Sequence, residues 1–179
     1  MPRNVEVKIR LNNHRAAMRA ARRICRRPPR IIRQCDTFYD AGKGRLKLRE
    51  QAPGAPELIH YHRPDRLGAK LSNYRIMRIP DRMREETRAF LAALFDEDVR
   101  VRKTRYLWIH QGTRIHVDKV AGLGWFLELE AVLRSREGAG SGRRRAEEIL
   151  NRLGLAGAAR LSCAYADLLR KKAGKRTTG

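Results

Sequence analysis

From the fourth residue the chain alternates. Val5, Val7, Ile9 and Leu11 share one face of a predicted strand over 4–11, and Asn4, Glu6, Lys8 and Arg10 share the other. Asn13 is placed to cap a helix running to about Cys25, with Ala17, Ala20, Ala21 and Ile24 on its inner side; Pro28-Pro29 ends that unit. A strand over 31–39 leads through a turn at 41–44 into Arg45–Glu50, where Arg45, Lys47 and Arg49 stand opposite Leu46 and Leu48. Beyond a Pro- and Gly-bearing loop at 51–56, strands are predicted at 57–63 and 70–79 around a turn at 64–68. A helix from Asp81 to Phe95 carries Phe90, Leu91 and Leu94 inward. Strands at 99–110, 113–119 and 125–134 follow, the first two joined tightly through Gln111-Gly112. The run from Gly138 to Gly142 reads as a flexible linker. Helices at 143–153 and 157–170 close a single domain over 1–170, and 171–179 reads as a disordered basic tail.

About eight strands in hairpin-like succession with few helices predict an α+β fold: an antiparallel, eight-stranded closed barrel with helices packed outside. The polar strand faces carry an unusual load. Many of their positions are Lys or Arg, while Glu128 and Glu130 share a face with Phe126 and Val132, and Arg114, His116 and Asp118 align on another. Turned inward, these faces give a densely positive lumen beside a small carboxylate cluster. Like charges packed in low dielectric need neutralising. The fitting complement is a di- or triphosphate, with a divalent ion held by the carboxylates.

Composition sharpens this reading in two ways. Of 179 residues, 41 are Lys or Arg and 19 Asp or Glu, a net charge of +22, and the 42% that are hydrophobic supply a core. Several arginines lie away from the predicted lumen, in the first helix region, at 143–145 and near the C-terminus. They make a non-catalytic polyphosphate, nucleotide or RNA binder the alternative reading, with nucleic acid held non-specifically. No apolar run approaches a membrane span, and the strand pattern begins at once without a signal peptide, which points to the cytoplasm. Cys25, Cys35 and Cys163 lack metal or redox spacing and read as buried free thiols. His116 reads as structural or as supporting a neighbouring ligand rather than as a catalytic base, Trp125 and Phe126 as core, Asp36 and Asp40 as capping or turn-forming, and Tyr165 and Leu168 as packing residues.

The stretches Asn-Val-Glu-Val-Lys (4–8), Asp-Thr-Phe-Tyr-Asp (36–40), Gly-Arg-Leu-Lys-Leu-Arg-Glu (44–50), Arg-Lys-Thr-Arg (102–105), Thr-Arg-Ile-His-Val-Asp (113–118) and Gly-Trp-Phe-Leu-Glu-Leu-Glu (124–130) resemble the CYTH superfamily, the triphosphate tunnel metalloenzymes. Tyr-His-Arg-Pro-Asp (61–65), Lys-Leu-Ser-Asn-Tyr (70–74) and Ser-Cys-Ala-Tyr-Ala-Asp-Leu-Leu (162–169) extend the resemblance, which is strongest towards the branch holding class IV adenylate cyclases and thiamine triphosphatases. It implies an Mg²⁺- or Mn²⁺-dependent enzyme acting on ATP, thiamine triphosphate or tripolyphosphate. It implies Glu6, Glu128, Glu130 and Asp118 as metal residues. Lys8, Lys47, Arg49, Arg63, Lys70, Lys103, Arg105 and Arg114 become phosphate-gripping residues, with Asp118 and Lys103 as catalytic candidates. The family signature on the first strand is Glu-x-Glu-x-Lys; Asn4 stands where its first acid would be, which implies a weakened metal site.

Overall fold

The computed structural model describes residues 3–62 and 73–174. Its strands are β1 (Arg3–Arg10), β2 (Arg30–Tyr39), β3 (Arg45–Ala52), β4 (Glu57–His62), β5 (Asn73–Arg78), β6 (Glu97–His110), β7 (Thr113–Val120) and β8 (Gly124–Leu133). All pair antiparallel in one sheet, in the order β1-β8-β7-β6-β2-β3-β4-β5. The eight strands are those predicted, yet the ladder does not close: β1 and β5 are its two ends. The sheet curls instead, so that residues of all eight strands line one cavity. The outer edge of β1 is partly covered by the segment after the third helix. There Leu161 N–H donates to the Lys8 carbonyl at 2.8 Å, and Arg160 bridges to Ile9.

The outward faces bury the predicted apolar residues. Helix α1 (His14–Cys25) is capped by Asn13, whose Oδ1 accepts the Ala16 N–H at 3.0 Å. Its alanines 17, 20 and 21 join Ile9, Leu11, Trp108, Ile115, Val117, Leu127 and Leu129 in the main core. Trp125 also lies outside the lumen, stacked on His14 with centroids 3.9 Å apart. The hairpin between β6 and β7 turns through Gln111 (φ 46°) and Gly112 (φ 71°), the left-handed pair that two-residue hairpin loops require.

Helix α2 (Arg84–Leu94) departs from expectation. Leu91 is buried against Tyr39 and Leu48, whereas Phe90 and Leu94 are 64% and 58% exposed. The outer face of β2–β4 offers only a narrow apolar stripe, and Leu91 with Phe95, one turn apart, fills it.

The predicted glycine linker is also corrected. Helix α3 spans Ala139–Arg152 and includes Gly142, which is buried. A Cβ on Gly142 would lie 2.7 Å from Leu133 Cδ2 and 2.9 Å from Val5 Cγ2. The small residues here let α3 lie close on β1 and β8, and that packing outweighs the roughly 1 kcal/mol helix penalty of glycine. Gly142→Ala is therefore expected to destabilise by about 1–3 kcal/mol through overpacking, despite its better helix propensity. A denaturation midpoint equal to or above wild type would show that α3 does not sit this close.

The last helix starts later than predicted. Helix α4 covers Tyr165–Lys172 and so takes in Lys171 and Lys172, while residues 175–179 of the predicted tail lie outside the described residues. The Asp167 carboxylate accepts the Ala164 N–H at 3.0 Å and an N–H of Arg45 at 3.3 Å, pinning the start of α4 to β3. Tyr165 and Ala166 thereby reach Phe38, Val101 and Phe126 on the inner face of the sheet. All three cysteines are free and half-buried rather than buried. Among the described residues, no helix is long and apolar enough to cross a membrane.

Candidate functional site

The curled sheet encloses a cavity of about 260 Å³. Strand alternation builds its wall: Asn4, Glu6 and Lys8 from β1, Asp36 from β2, Lys47 and Arg49 from β3, Lys103 and Arg105 from β6, Arg114 from β7, and Glu128 and Glu130 from β8. Tyr165 enters from α4. The predicted lining residues Arg63 and Lys70 lie outside the described residues.

Register decides which charges meet. Across β1, β8 and β7, Glu6 stands opposite Glu130 and Glu130 opposite Arg114, while in the next row Lys8 faces Glu128 and Glu128 faces His116. Arg105 is opposite Asp118, and Asp36 is opposite Arg49. These pairings overturn the expectation of an uncompensated positive lining, because the lumen brings its own anions.

Asp118, fully buried, accepts Lys103 Nζ at 3.1 Å, Arg105 Nε and Nη2 at 2.8 Å each, and the Tyr165 hydroxyl at 3.2 Å. Asp36 accepts Lys47 Nζ at 2.8 Å, both Arg49 Nε and Nη2 at 3.0 Å, and Gln34 Nε2 at 2.8 Å. Glu128 takes Arg105 Nη2 at 2.6 Å and lies 3.5 Å from Lys8 Nζ. Lys8 also donates to Glu6 at 3.1 Å, and Arg114 to Glu130 at 3.1 Å.

The titration behaviour follows from these contacts. Burial alone would raise the carboxyl of Asp118, but Lys103 and Arg105 overcome it and hold the group at about 2. Asp36 is likewise held well below the usual carboxylate range, by Lys47 and Arg49 against its burial, and Glu128 by Lys8 and Arg105. Burial, reinforced by Arg49, lowers Lys47 to about 8 in spite of Asp36. Burial and Arg105 lower Lys103. The cations are thus of two kinds: guanidiniums that stay charged at every working pH, and lysines, of which Lys47 and Lys103 are lowered by burial.

Two contributors were read otherwise from sequence. Asp36 is no turn residue; it anchors Lys47 and Arg49, and the alternation Gln34, Asp36, Phe38 along β2 was the available signal. Tyr165 does more than pack: Lys8 and Lys103 lie over its ring at 4.5 and 5.1 Å. Asp40 does form a turn, accepting the Gly42 N–H at 3.1 Å.

The acidic end of the lumen suits a divalent cation. His116, Glu128 and Glu130 each offer a ligand atom, all within 4.8 Å of one another. His116 Nδ1 is buried without a hydrogen-bond partner, 3.9 Å from Glu128 Oε2 and 3.7 Å from Glu130 Oε1. A buried, orphaned nitrogen between two carboxylates is what a metal ion would satisfy. Glu6 lines the same end, whereas the oxygens of Asp118 are committed to Lys103, Arg105 and Tyr165.

The model of the CYTH domain family matches residues 2–164. Among solved structures, the PH1012 protein of Pyrococcus horikoshii OT3 superposes with a TM-score of 0.78 at 19% identity, over 92% of this chain and 98% of that one. A candidate adenylate cyclase of Vibrio parahaemolyticus gives a TM-score of 0.73 at 20% identity, over 93% and 97% of the two chains. HpAC1 of Hippeastrum, a candidate adenylyl cyclase with a dominant triphosphatase activity, gives 0.64 at 13% identity over 98% and 97%. No curated protein sequence matches significantly.

Proposed function

Because the chain belongs to the CYTH domain family, we propose that its lumen binds a triphosphate and hydrolyses the terminal phosphoanhydride bond with the help of a divalent ion. The observation that carries this reading is the convergence of Lys8, Lys47, Arg49, Lys103, Arg105 and Arg114 on one small cavity with a carboxylate cluster at its side. A cavity of about 260 Å³ is below the usual size of small-molecule sites, roughly 300–1,000 Å³. It suits the phosphate chain of a substrate better than a whole nucleotide.

The reaction divides among the residues. Arg49, Arg105 and Arg114 fork onto non-bridging oxygens, and Lys8, Lys47 and Lys103 supply mobile point charges. Asp118, held at about 2, is too weak a base to take a proton and serves to orient Lys103 and Arg105. Glu128, Glu130, His116 and Glu6 would hold the ion, which neutralises charge developing on the phosphate oxygens. Water adds to the terminal phosphorus as the bond to the bridging oxygen breaks, its proton passing to the phosphate oxygens or to solvent, and orthophosphate leaves together with the shortened phosphate chain.

The test is a panel of tripolyphosphate, ATP and thiamine triphosphate with Mg²⁺ or Mn²⁺, read by phosphate release and by cyclic AMP detection. Orthophosphate from at least one substrate is expected. Cyclic AMP and pyrophosphate from ATP would assign cyclisation instead, and tight binding without turnover would assign the binding role.

Two expectations belong to this reading. Lys47 carries its charge below about pH 8 and loses it above. The KM for tripolyphosphate should therefore rise as pH passes from 7 to 9, and Lys47→Arg should flatten the rise because guanidinium stays charged. An identical profile in that variant would remove Lys47 from the binding site.

Asn4 lines the cavity beside Glu6, where the family signature has an acid. Asn4→Glu should lower the divalent concentration giving half-maximal activity by about tenfold, since ligand charge sets affinity for hard cations. A metal titration at fixed tripolyphosphate measures this. No change would mean that position 4 does not act on the ion.

A further inference from the structure

Resting on that reading of the acidic end as a divalent site, we propose that His116 is one of its ligands and that this nitrogen turns the site's preference from Mg²⁺ towards borderline transition ions such as Co²⁺ and Zn²⁺. The inference starts from an unexplained atom. His116 is 2% exposed, and its Nδ1 has no hydrogen-bond partner, a condition that ordinarily costs about 1–3 kcal/mol in a buried site. Its strand position fixes its direction. On β7 it shares a strand face with Arg114, which lines the cavity, and Asp118, and on the neighbouring strand its opposite residue is Glu128.

The spacing of the three side chains is compatible with a shared cation. The separations of 3.9 Å to Glu128 Oε2 and 3.7 Å to Glu130 Oε1 are too long for hydrogen bonds. Neighbouring ligands around an ion with bonds of about 2.1 Å stand roughly 3.0–3.5 Å apart, so the set, all within 4.8 Å, would draw together by about an ångström, a movement within reach of the glutamate side chains. Both glutamates already have cationic partners, Arg105 for Glu128 and Arg114 for Glu130. An arriving ion takes over part of their charge, whereas for His116 Nδ1 it supplies a partner where there was none.

The donor set then determines the ion. Mg²⁺ favours oxygen ligands and retains its waters, so an imidazole adds little to its binding. Co²⁺ and Zn²⁺ accept imidazole readily and rise above Mn²⁺ in affinity at mixed nitrogen and oxygen sites. Two carboxylates and one imidazole make such a site.

The experiment uses the full chain without substrate. Binding of Co²⁺, Zn²⁺ and Mg²⁺ is measured by calorimetry on wild type and on His116→Leu. Wild type should bind Co²⁺ at least about tenfold more tightly than Mg²⁺, and the variant should lose about 10- to 100-fold in Co²⁺ affinity with little change for Mg²⁺. In parallel, the His116 ring resonance of wild type should be strongly shifted or broadened by Co²⁺, a reading that does not depend on the variant folding. An unchanged ratio of Co²⁺ to Mg²⁺ affinity in the variant, no metal binding, or an unperturbed His116 ring would each overturn the assignment. Triphosphate hydrolysis with an unchanged ratio would sink this inference and leave the function standing. A changed ratio without hydrolysis of any triphosphate would do the reverse.

Discussion

Asp118→Ala is expected to cost the fold about 3–5 kcal/mol, because it removes the shared partner of two buried cations. Lys103 and Arg105 are 9% and 8% exposed, and Asp118 is wholly buried between them. Arg105 retains Glu128, so Lys103 bears most of the loss. Burial and Arg105 already lower its pKa, and without Asp118 it loses its closest opposing charge. The sign of the pH dependence follows. A lysine titrating lower in the folded state than in the unfolded one is discharged first in the fold, so the unfolded chain holds more protons across that interval. The deficit of the variant should accordingly shrink as pH rises from the value Lys103 takes without Asp118 up to its already lowered wild-type value, and stay constant above it, where both folds have discharged the lysine. Urea unfolding at several pH values measures both effects. A loss below about 1 kcal/mol would mean that these charges are solvated rather than buried.

Glu130→Gln should reduce turnover by about 100-fold at a fixed divalent concentration while leaving the fold nearly intact. Its side chain is 17% exposed and its ion-pair partner Arg114 is 53% exposed, so little packing depends on its charge. Raising the metal concentration should recover part of the activity. Glu128→Gln should lose activity and stability together, since Glu128 also secures Arg105 and Lys8. Full turnover in both variants would take these carboxylates out of the metal site. The contrast between them separates holding an ion from holding the wall.

Strand alternation made much of this site legible. It put Glu6 with Lys8, Lys47 with Arg49, and Glu128 with Glu130 on common faces, and all of them line the cavity. What it left hidden is non-local. Asp36 meets Arg49, and Asp118 meets Lys103 and Arg105, across ladders whose register no local pattern reveals. Hence the lumen was expected to be unpaired, and Asp36 to serve a turn. Tyr165 escaped for a related reason: a short helix carries it, and its approach to the lumen depends on Asp167 fastening that helix to Arg45. Gly142 misled through local propensity, since glycine-rich sequence signals a linker until tertiary packing gives the small residues a use. Alternation already pointed to a divalent ion at the carboxylate cluster with Glu128 and Glu130, whereas Glu6 and Asp118 entered the metal set only through the family resemblance.

The internal pairing of the lumen sets a threshold on the valence of what can enter. Asp36 already satisfies Lys47 and Arg49, as Asp118 satisfies Lys103 and Arg105. An entering anion must compete with resident carboxylates that are pre-positioned and pay no entropy of capture. A singly charged anion offers each cation no more than it has, and gains nothing by the exchange. A phosphate chain bearing three or four charges can engage several cations at once and return the carboxylates to hydrogen bonds with Tyr165, Gln34 and water. On the proposed reading, the lumen would act as an ion exchanger selective for multivalent anions. Orthophosphate, with about one to two charges against the three or four of a longer chain, would compete less well with the protein's own acids, so that a wall which disfavours weak ligands would also help to clear the product.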